Sequence, residues 1–231
     1  MARLPRPVLL FVLGCSLARA AFIAPDAFDA LHVIPPPPAP ESPAAAGERL
    51  VLMLFARNRT PEQTALARHW EKYDVFKLVQ PVLGEWADAQ SLPKLAAFIK
   101  NSTVETRPFT DRAKNTYARP RPHVDNPALQ LAVATPDGYS YPSGHATAAA
   151  LHAALLAAAW PERADEFTAQ IELVCLSRLY GGAHYPSDVV AGRLLGSTIA
   201  REMLKSADTQ AALAEVRAEI AAALAAHRKA A

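Results

Sequence analysis

The 231-residue chain sets 24 Lys and Arg against 22 Asp and Glu, a net charge of +2 that lacks the basic excess expected of a nucleic-acid binder. With 51% hydrophobic and 20% charged residues it can fill a core, so global disorder is excluded, and its length suits one good-sized domain. Alanine is abundant and runs of strand-forming residues are few, which leans to an all-α fold.

Residues 1–20 have the three-part layout of a secretory signal peptide. Arg3 and Arg6 supply the basic start, 8–17 the apolar middle, and Ala18-Arg19-Ala20 the small-residue cleavage site. Leu13-Gly14-Cys15 resembles a lipoprotein processing site, with Cys15 as the anchor, but the residues ahead of the cysteine fit that pattern poorly. Cleavage near Ala20 leaves Cys175 alone, which excludes an intramolecular disulfide. Its neighbours Leu173, Val174 and Leu176 make it a buried thiol rather than a nucleophile. Beyond the leader no stretch reaches the roughly 18–20 apolar residues of a membrane span.

Residues 21–46 read as an extended Pro-rich arm around Pro35-Pro36-Pro37-Pro38, and 47–231 as a helical domain. Thr60 and Pro61 are an N-cap and a first helical residue, opening a helix that the apolar spacing of Leu66, Trp70, Tyr73 and Phe76 carries to about 79. Ser91-Leu92-Pro93 opens another through Leu95, Phe98 and Ile99. The stretch 105–144, rich in Pro, Asp, Asn and Arg, reads as a long loop, which in a compact domain is commonly functional. Helices follow at 146–159, 162–179, 186–205 and 209–227.

Three clusters carry chemistry, each at a loop–helix junction. They are Lys114 to Arg121-Pro122, then Tyr141-Pro142-Ser143-Gly144-His145, then Ser177-Arg178 with His184 and Asp188. Arg121 and Arg178 offer planar forks matching two oxygens of a phosphate, and Lys114 offers a point charge. Ser143 and Gly144 precede a helix, whose free N–H groups and dipole favour an anion. One neutral histidine can attack phosphorus while a second, protonated, hands its proton to the leaving alkoxide. Asp188, four residues after His184, can reach its far nitrogen and fix the tautomer. His32, His69, His123, His152 and His227 read as structural, and His123-Val124-Asp125 is too little for a metal site.

The spacing Lys-x6-Arg-Pro, Pro-Ser-Gly-His and Ser-Arg-x5-His-x3-Asp resembles the three-part signature of the phosphatidic acid phosphatase type 2 and vanadium haloperoxidase superfamily. All eleven positions are filled: Lys114, Arg121, Pro122, Pro142, Ser143, Gly144, His145, Ser177, Arg178, His184 and Asp188. Within it the chain is similar to class A bacterial nonspecific acid phosphatases, loosely before Lys114 and tightly from there to Gly196. The resemblance implies a single all-helical bundle, a phosphohistidine on His184 oriented by Asp188, His145 as general acid, and phosphate bound by Lys114, Arg121, Ser143, Gly144 and Arg178. It implies no metal and no cofactor, in a cage suited to phosphate or vanadate, and small phosphomonoester substrates cleaved in the periplasm or outside the cell. A homo-oligomer is compatible with it. His123 and Tyr185 replace the usual aromatic residue and Trp, and are expected at the pocket mouth. The alternatives are a soluble lipid phosphatase, a vanadium-dependent haloperoxidase and a non-catalytic phosphate-binding protein.

Overall fold

The structure, a computed structural model, describes residues 21–230; the leader expected at 1–20 lies outside the described residues. Eleven α-helices follow one another among them, with no strand: α1 (Ala30–Val33), α2 (Pro43–Asn58), α3 (Pro61–His69), α4 (Phe76–Leu83), α5 (Pro93–Val104), α6 (Arg107–Tyr117), α7 (Pro122–Asp125), α8 (Gly144–Ala159), α9 (Ala164–Tyr180), α10 (Pro186–Met203) and α11 (Ala207–Ala230).

α8 is the axis of the bundle. Its sequence is apolar on all sides, and helices of that kind are stable only when surrounded. Ala146, Ala149, Ala150, Leu151, Ala153, Leu155 and Leu156 are all buried. α10 and α9 cover it on two sides, and α11 reaches it while also packing on α5. α2, α3 and α4 lie against the outer side of α9, and α1 contacts α6 and α10. Cys175 belongs to the same core, where burial pushes its thiol up to about 12.

α8 and α10 approach closely because α10 turns glycines towards α8. A Cβ at Gly192 would stand 2.5 Å from the Ser143 carbonyl, and one at Gly196 closer still to the Thr147 carbonyl. The contact presses the start of α10 against the start of α8, where Ser143 N–H donates to the Asp188 carbonyl at 2.9 Å. Two of the three sequence clusters are thereby joined through main chain.

Local signals placed most helix starts. Thr60 caps α3 in a full capping box with Gln63, and Ser42 caps α2. The helix expected from Thr60 to about 79 is instead two, α3 and α4, separated by residues 70–75. Asp74 Oδ1 accepts from Phe76 N–H at 2.9 Å, giving the chain a local turn that restarts it as α4. The loop expected over 105–144 contains α6 and α7. Pro108 sits in the first turn of α6, where its missing N–H costs no hydrogen bond, and Phe109, Thr110 and Ala113 bury one face. The arm drawn as extended over 21–46 includes α1, and α2 begins at Pro43 rather than near residue 47. Pro35–Pro38 itself is not helical, and the Pro35 carbonyl accepts a hydrogen bond from Tyr141 Oη.

Gly196→Ala should lower the unfolding free energy by about 1–3 kcal/mol, the usual cost of overpacking, because its new methyl meets a helix backbone that cannot yield. Urea denaturation checks this; a loss within about 0.3 kcal/mol of zero would mean the two helices can separate at little cost.

Candidate active site

The eight residues singled out in the sequence come from six segments of the chain. Lys114 lies in the last turn of α6, Arg121 is the N-cap of α7, and Ser143 is the N-cap of α8 with Gly144 and His145 in its first turn. Arg178 lies in the last turn of α9, His184 in the short α9–α10 connection, and Asp188 in the first turn of α10.

Asp188 is wholly buried. Its Oδ2 accepts from Ser140 Oγ at 2.5 Å and Tyr185 N–H at 2.9 Å and faces His184 Nδ1 at 3.3 Å. Its Oδ1 accepts from Arg119 Nη1 at 2.6 Å. Burial alone would raise its carboxyl; the hydrogen bond and charge of His184, the Arg119 guanidinium and Ser140 together hold it below the usual carboxylate range. An ionised Asp188 accepts only, so Nδ1 of His184 carries the proton and Nε2 keeps its lone pair. Arg121 Nη1 donates to that Nε2 at 2.9 Å. Three further Arg121 donors are on the carbonyls of Asp137, Gly138 and Ala183 at 2.9–3.1 Å.

Burial sets the protonation of both histidines. It holds His184 down to about 4, with Arg121 and Arg178 pushing the same way and Asp188 against them. It holds His145 down to about 3, reinforced by Arg178, His184 and Arg121. His145 Nε2 lies 3.3 Å from the Glu71 carbonyl, and Tyr73 packs edge-on against its ring. Arg178 Nη1 donates to the Trp70 carbonyl at 3.0 Å, while its Nε is buried with no protein partner. Burial and Arg121 bring the Arg178 guanidinium down to about 10. Lys114 donates to the Tyr139 carbonyl at 2.7 Å and is lowered to about 8 by burial and by Arg121. The site thus gathers three cations and two neutral histidines around one carboxylate. Such a cage suits a multiply charged anion.

Two charged groups were missed in the sequence. Arg119, in the Arg-Pro-Arg-Pro run, bridges Asp188 and Glu48 of α2, with Nη2 to Glu48 Oε2 at 2.7 Å. Glu48 Oε1 accepts from Ser187 N–H at 2.6 Å. A lone Glu on a helix reads as solvated, and no local pattern marks it. Tyr185 was expected at the pocket mouth but is 2% exposed; it lies under the Arg119 guanidinium at 4.0 Å and donates to Asp125 Oδ2 at 2.5 Å. His123 is half-buried, and Asp125 is committed to Tyr185. His152 is structural as expected, bonded to Tyr73 Oη at 2.8 Å and Thr103 Oγ1 at 2.9 Å. Among the described residues no cluster of His, Cys, Asp and Glu is placed to hold a metal ion, and no helix is long and apolar enough to cross a membrane.

Comparison with known proteins bears on this geometry. The sequence model of the PAP2 superfamily matches residues 95–211, half of the chain. A protein of Salmonella typhimurium named non-specific acid phosphatase is 30% identical over 81% of this chain and 78% of its own length. An acid phosphatase of Zymomonas mobilis is 31% identical over 73% of this chain and 67% of its own. Among solved structures, a bacterial vanadium-dependent iodoperoxidase superposes with a TM-score of 0.59 over 74% of this chain and 52% of its own, at 16% identity, a likeness of fold alone.

The burial of His145, His152 and His184 has a consequence for stability. Each has a folded-state pKa of about 3 or 4 against an ordinary value of 6.5. Below pH 6.5 the unfolded chain takes protons that the fold refuses, so stability falls as pH drops from 6.5 towards 4. Near pH 5 unfolding should take up about three protons, one onto each of these histidines. Melting temperatures from pH 7 to 4.5 check this, and inorganic phosphate should offset the fall; a flat or rising profile would contradict the buried neutral histidines.

Proposed function

This chain belongs to the PAP2 superfamily, and from that premise we propose that it is an acid phosphatase that hydrolyses phosphate monoesters through a phosphohistidine on His184. The relatives that cover most of the chain bear acid phosphatase names, which favours hydrolysis over the haloperoxidase, lipid phosphatase and purely binding readings. The observation that carries the mechanism is the state of His184. Its Nδ1 is committed to an ionised Asp188 and its Nε2 lone pair faces Arg121.

The phosphate dianion is held by Lys114, Arg121, Arg178 and the free N–H groups at the start of α8, with Ser143 and Gly144 at its mouth. The unpartnered Nε of Arg178 supports an oxyanion at that point, since buried donors without acceptors are rare. As Arg121 turns from Nε2 to the phosphate oxygens, Nε2 attacks phosphorus and the ester P–O bond breaks. His145 passes its proton to the leaving alkoxide, which departs as an alcohol. Neutral His145 then takes a proton from water, whose oxygen attacks phosphorus, breaks the P–N bond and releases phosphate. Asp188 stabilises the positive charge that His184 carries while phosphorylated.

In the free site burial keeps His145, the acid of this scheme, neutral as it does His184. The substrate corrects this. A dianion among the cations offsets the fields of Arg178 and Arg121 and raises His145, so the acid is charged only once there is an ester to cleave. An acidic optimum follows.

Charge otherwise supplied by a metal comes from Lys114, Arg121 and Arg178, so we take catalysis to be metal-independent and free of cofactors. Export to the periplasm or beyond, with removal of residues 1–20, completes the reading; the order of Arg3, Arg6, the apolar stretch and Ala18–Ala20 supports it.

With labelled substrate, quenching should trap phosphoenzyme in the native chain and none in His184→Ala, and excess chelator should leave turnover unchanged. Loss of activity on chelation, or a labelled His184→Ala protein, would sink the mechanism. His145→Ala should slow phosphorylation by about 10²–10⁴-fold with alkyl phosphates and much less with nitrophenyl phosphate, whose leaving group needs no proton. Equal losses on both esters in single-turnover rates would remove His145 from the role of acid.

A further inference from the structure

We propose that Arg119 is a positioning residue for the phosphorylation of His184: its guanidinium, held from behind by Glu48 of α2, fixes Asp188 and through it the histidine ring. The proposal rests on the phosphohistidine reading but concerns residues that do not touch phosphate.

Arg119 lies in an unusual setting for an arginine between two loops. Its side chain is 10% exposed, that of Glu48 11%, and that of Asp188 wholly buried. Nη1 donates both to Asp188 Oδ1 and, at 2.8 Å, to Ser187 Oγ; Nη2 donates to Glu48. The plane rests on the Tyr185 ring. Glu48 closes the frame by accepting from Ser187 N–H, in the first turn of α10 between His184 and Asp188. An Arg fork can hold several acceptors in a fixed plane, which an ammonium cannot. The arrangement therefore fixes Asp188 from the oxygen opposite the one facing His184. A free carboxylate on one turn of helix could rotate about its Cβ–Cγ bond and release Nδ1. This one cannot without breaking the bond of Oδ1 to Arg119 and those of Oδ2 to Ser140 and the Tyr185 N–H.

The clamp is electrically balanced as well as rigid. Two carboxylates share one guanidinium, so Arg119 neutralises Asp188 only in part, and Asp188 keeps enough negative charge to support His184. The charged and titratable groups facing His184 are Asp188 from α10, Arg121 at the head of α7, Arg178 from α9 and His145 from α8; Lys114 of α6 acts on Asp188. Arg119 and Glu48 act one step behind Asp188 and with opposite signs. Removing Glu48 leaves Arg119 pulling on Asp188 alone, which lowers the basicity of His184. Removing Arg119 raises it. A merely structural pair would move stability and leave the titration of His184 where it was.

The test is rapid-quench formation of labelled phosphoenzyme against pH, with one substrate, in the full chain and in Glu48→Gln, Arg119→Gln and Arg119→Lys, with circular dichroism for the fold. Using one substrate throughout cancels its own ionisation. The acid limb should move to lower pH in Glu48→Gln and to higher pH in Arg119→Gln, each by about half a unit or more. The plateau rate in Arg119→Gln should fall at least about tenfold with little change in KM, because the ring is misplaced rather than the phosphate site. Arg119→Lys should restore the limb but not the rate, separating charge from fork geometry. Unshifted limbs, shifts of the same sign, or an unchanged plateau in Arg119→Gln would overturn the proposal. If Arg119→Gln does not fold, Glu48→Gln decides by its shift alone. If native protein forms no phosphoenzyme, the phosphohistidine reading fails, and the limbs are then read from steady-state kcat/KM.

Discussion

The carboxylate of Asp188 is the constraint around which the site is built. A charge with no solvent contact is unstable unless donors meet it on every side, and its cost grows quickly if one is missing. Here the donors come from far apart in the chain: Arg119 after α6, Ser140 before α8, and His184 and Tyr185 between α9 and α10. The residue's own carbonyl accepts from Ser143 N–H. Satisfying one buried group therefore fixes three loops relative to one another. It also leaves His184 a single arrangement, with the proton on Nδ1 and the lone pair on Nε2.

Around that anion the protein has buried more positive charge than it neutralises. Lys114, Arg121 and Arg178 are each held by main-chain carbonyls rather than by carboxylates of their own. Carbonyl dipoles orient a cation without cancelling it. The result is a field prepared for an anion before one arrives. The same field reinforces what burial does first, which is to keep both histidines neutral in the free site.

Much of this was legible in the sequence, and the rest was hidden for identifiable reasons. The signature spacing singled out eight residues that the fold brings to one region, because their side-chain types and intervals form a pattern readable without the fold. Thr60-Pro61 placed the start of α3, and apolar periodicity found α5 and α8–α11. Periodicity also ran straight through residues 70–75, where the helix in fact stops. That break matters: it turns the Trp70 and Glu71 carbonyls away from a helix ladder and towards Arg178 and His145. α6 was lost because its surface is Arg, Asp, Asn and Pro, with only Phe109, Thr110 and Ala113 turned inward. Tyr185 was misplaced because motif position says nothing of depth.

The contacts that hold the site share a feature that explains their invisibility. Pro35, Trp70 and Glu71 lie before the stretch matched by the family model, and each contributes a carbonyl to a residue within it. Any amino acid carries that carbonyl, so the support leaves no trace in residue identity; only backbone path records it. Glu48 is different. It supports the same frame from α2 through a side chain, and its charge acts on Asp188 by way of Arg119. The N-terminal half is therefore not a passive cover over a self-sufficient motif. It holds Tyr141, Arg178 and His145 through main-chain carbonyls and the His184–Asp188 pair through side-chain charge.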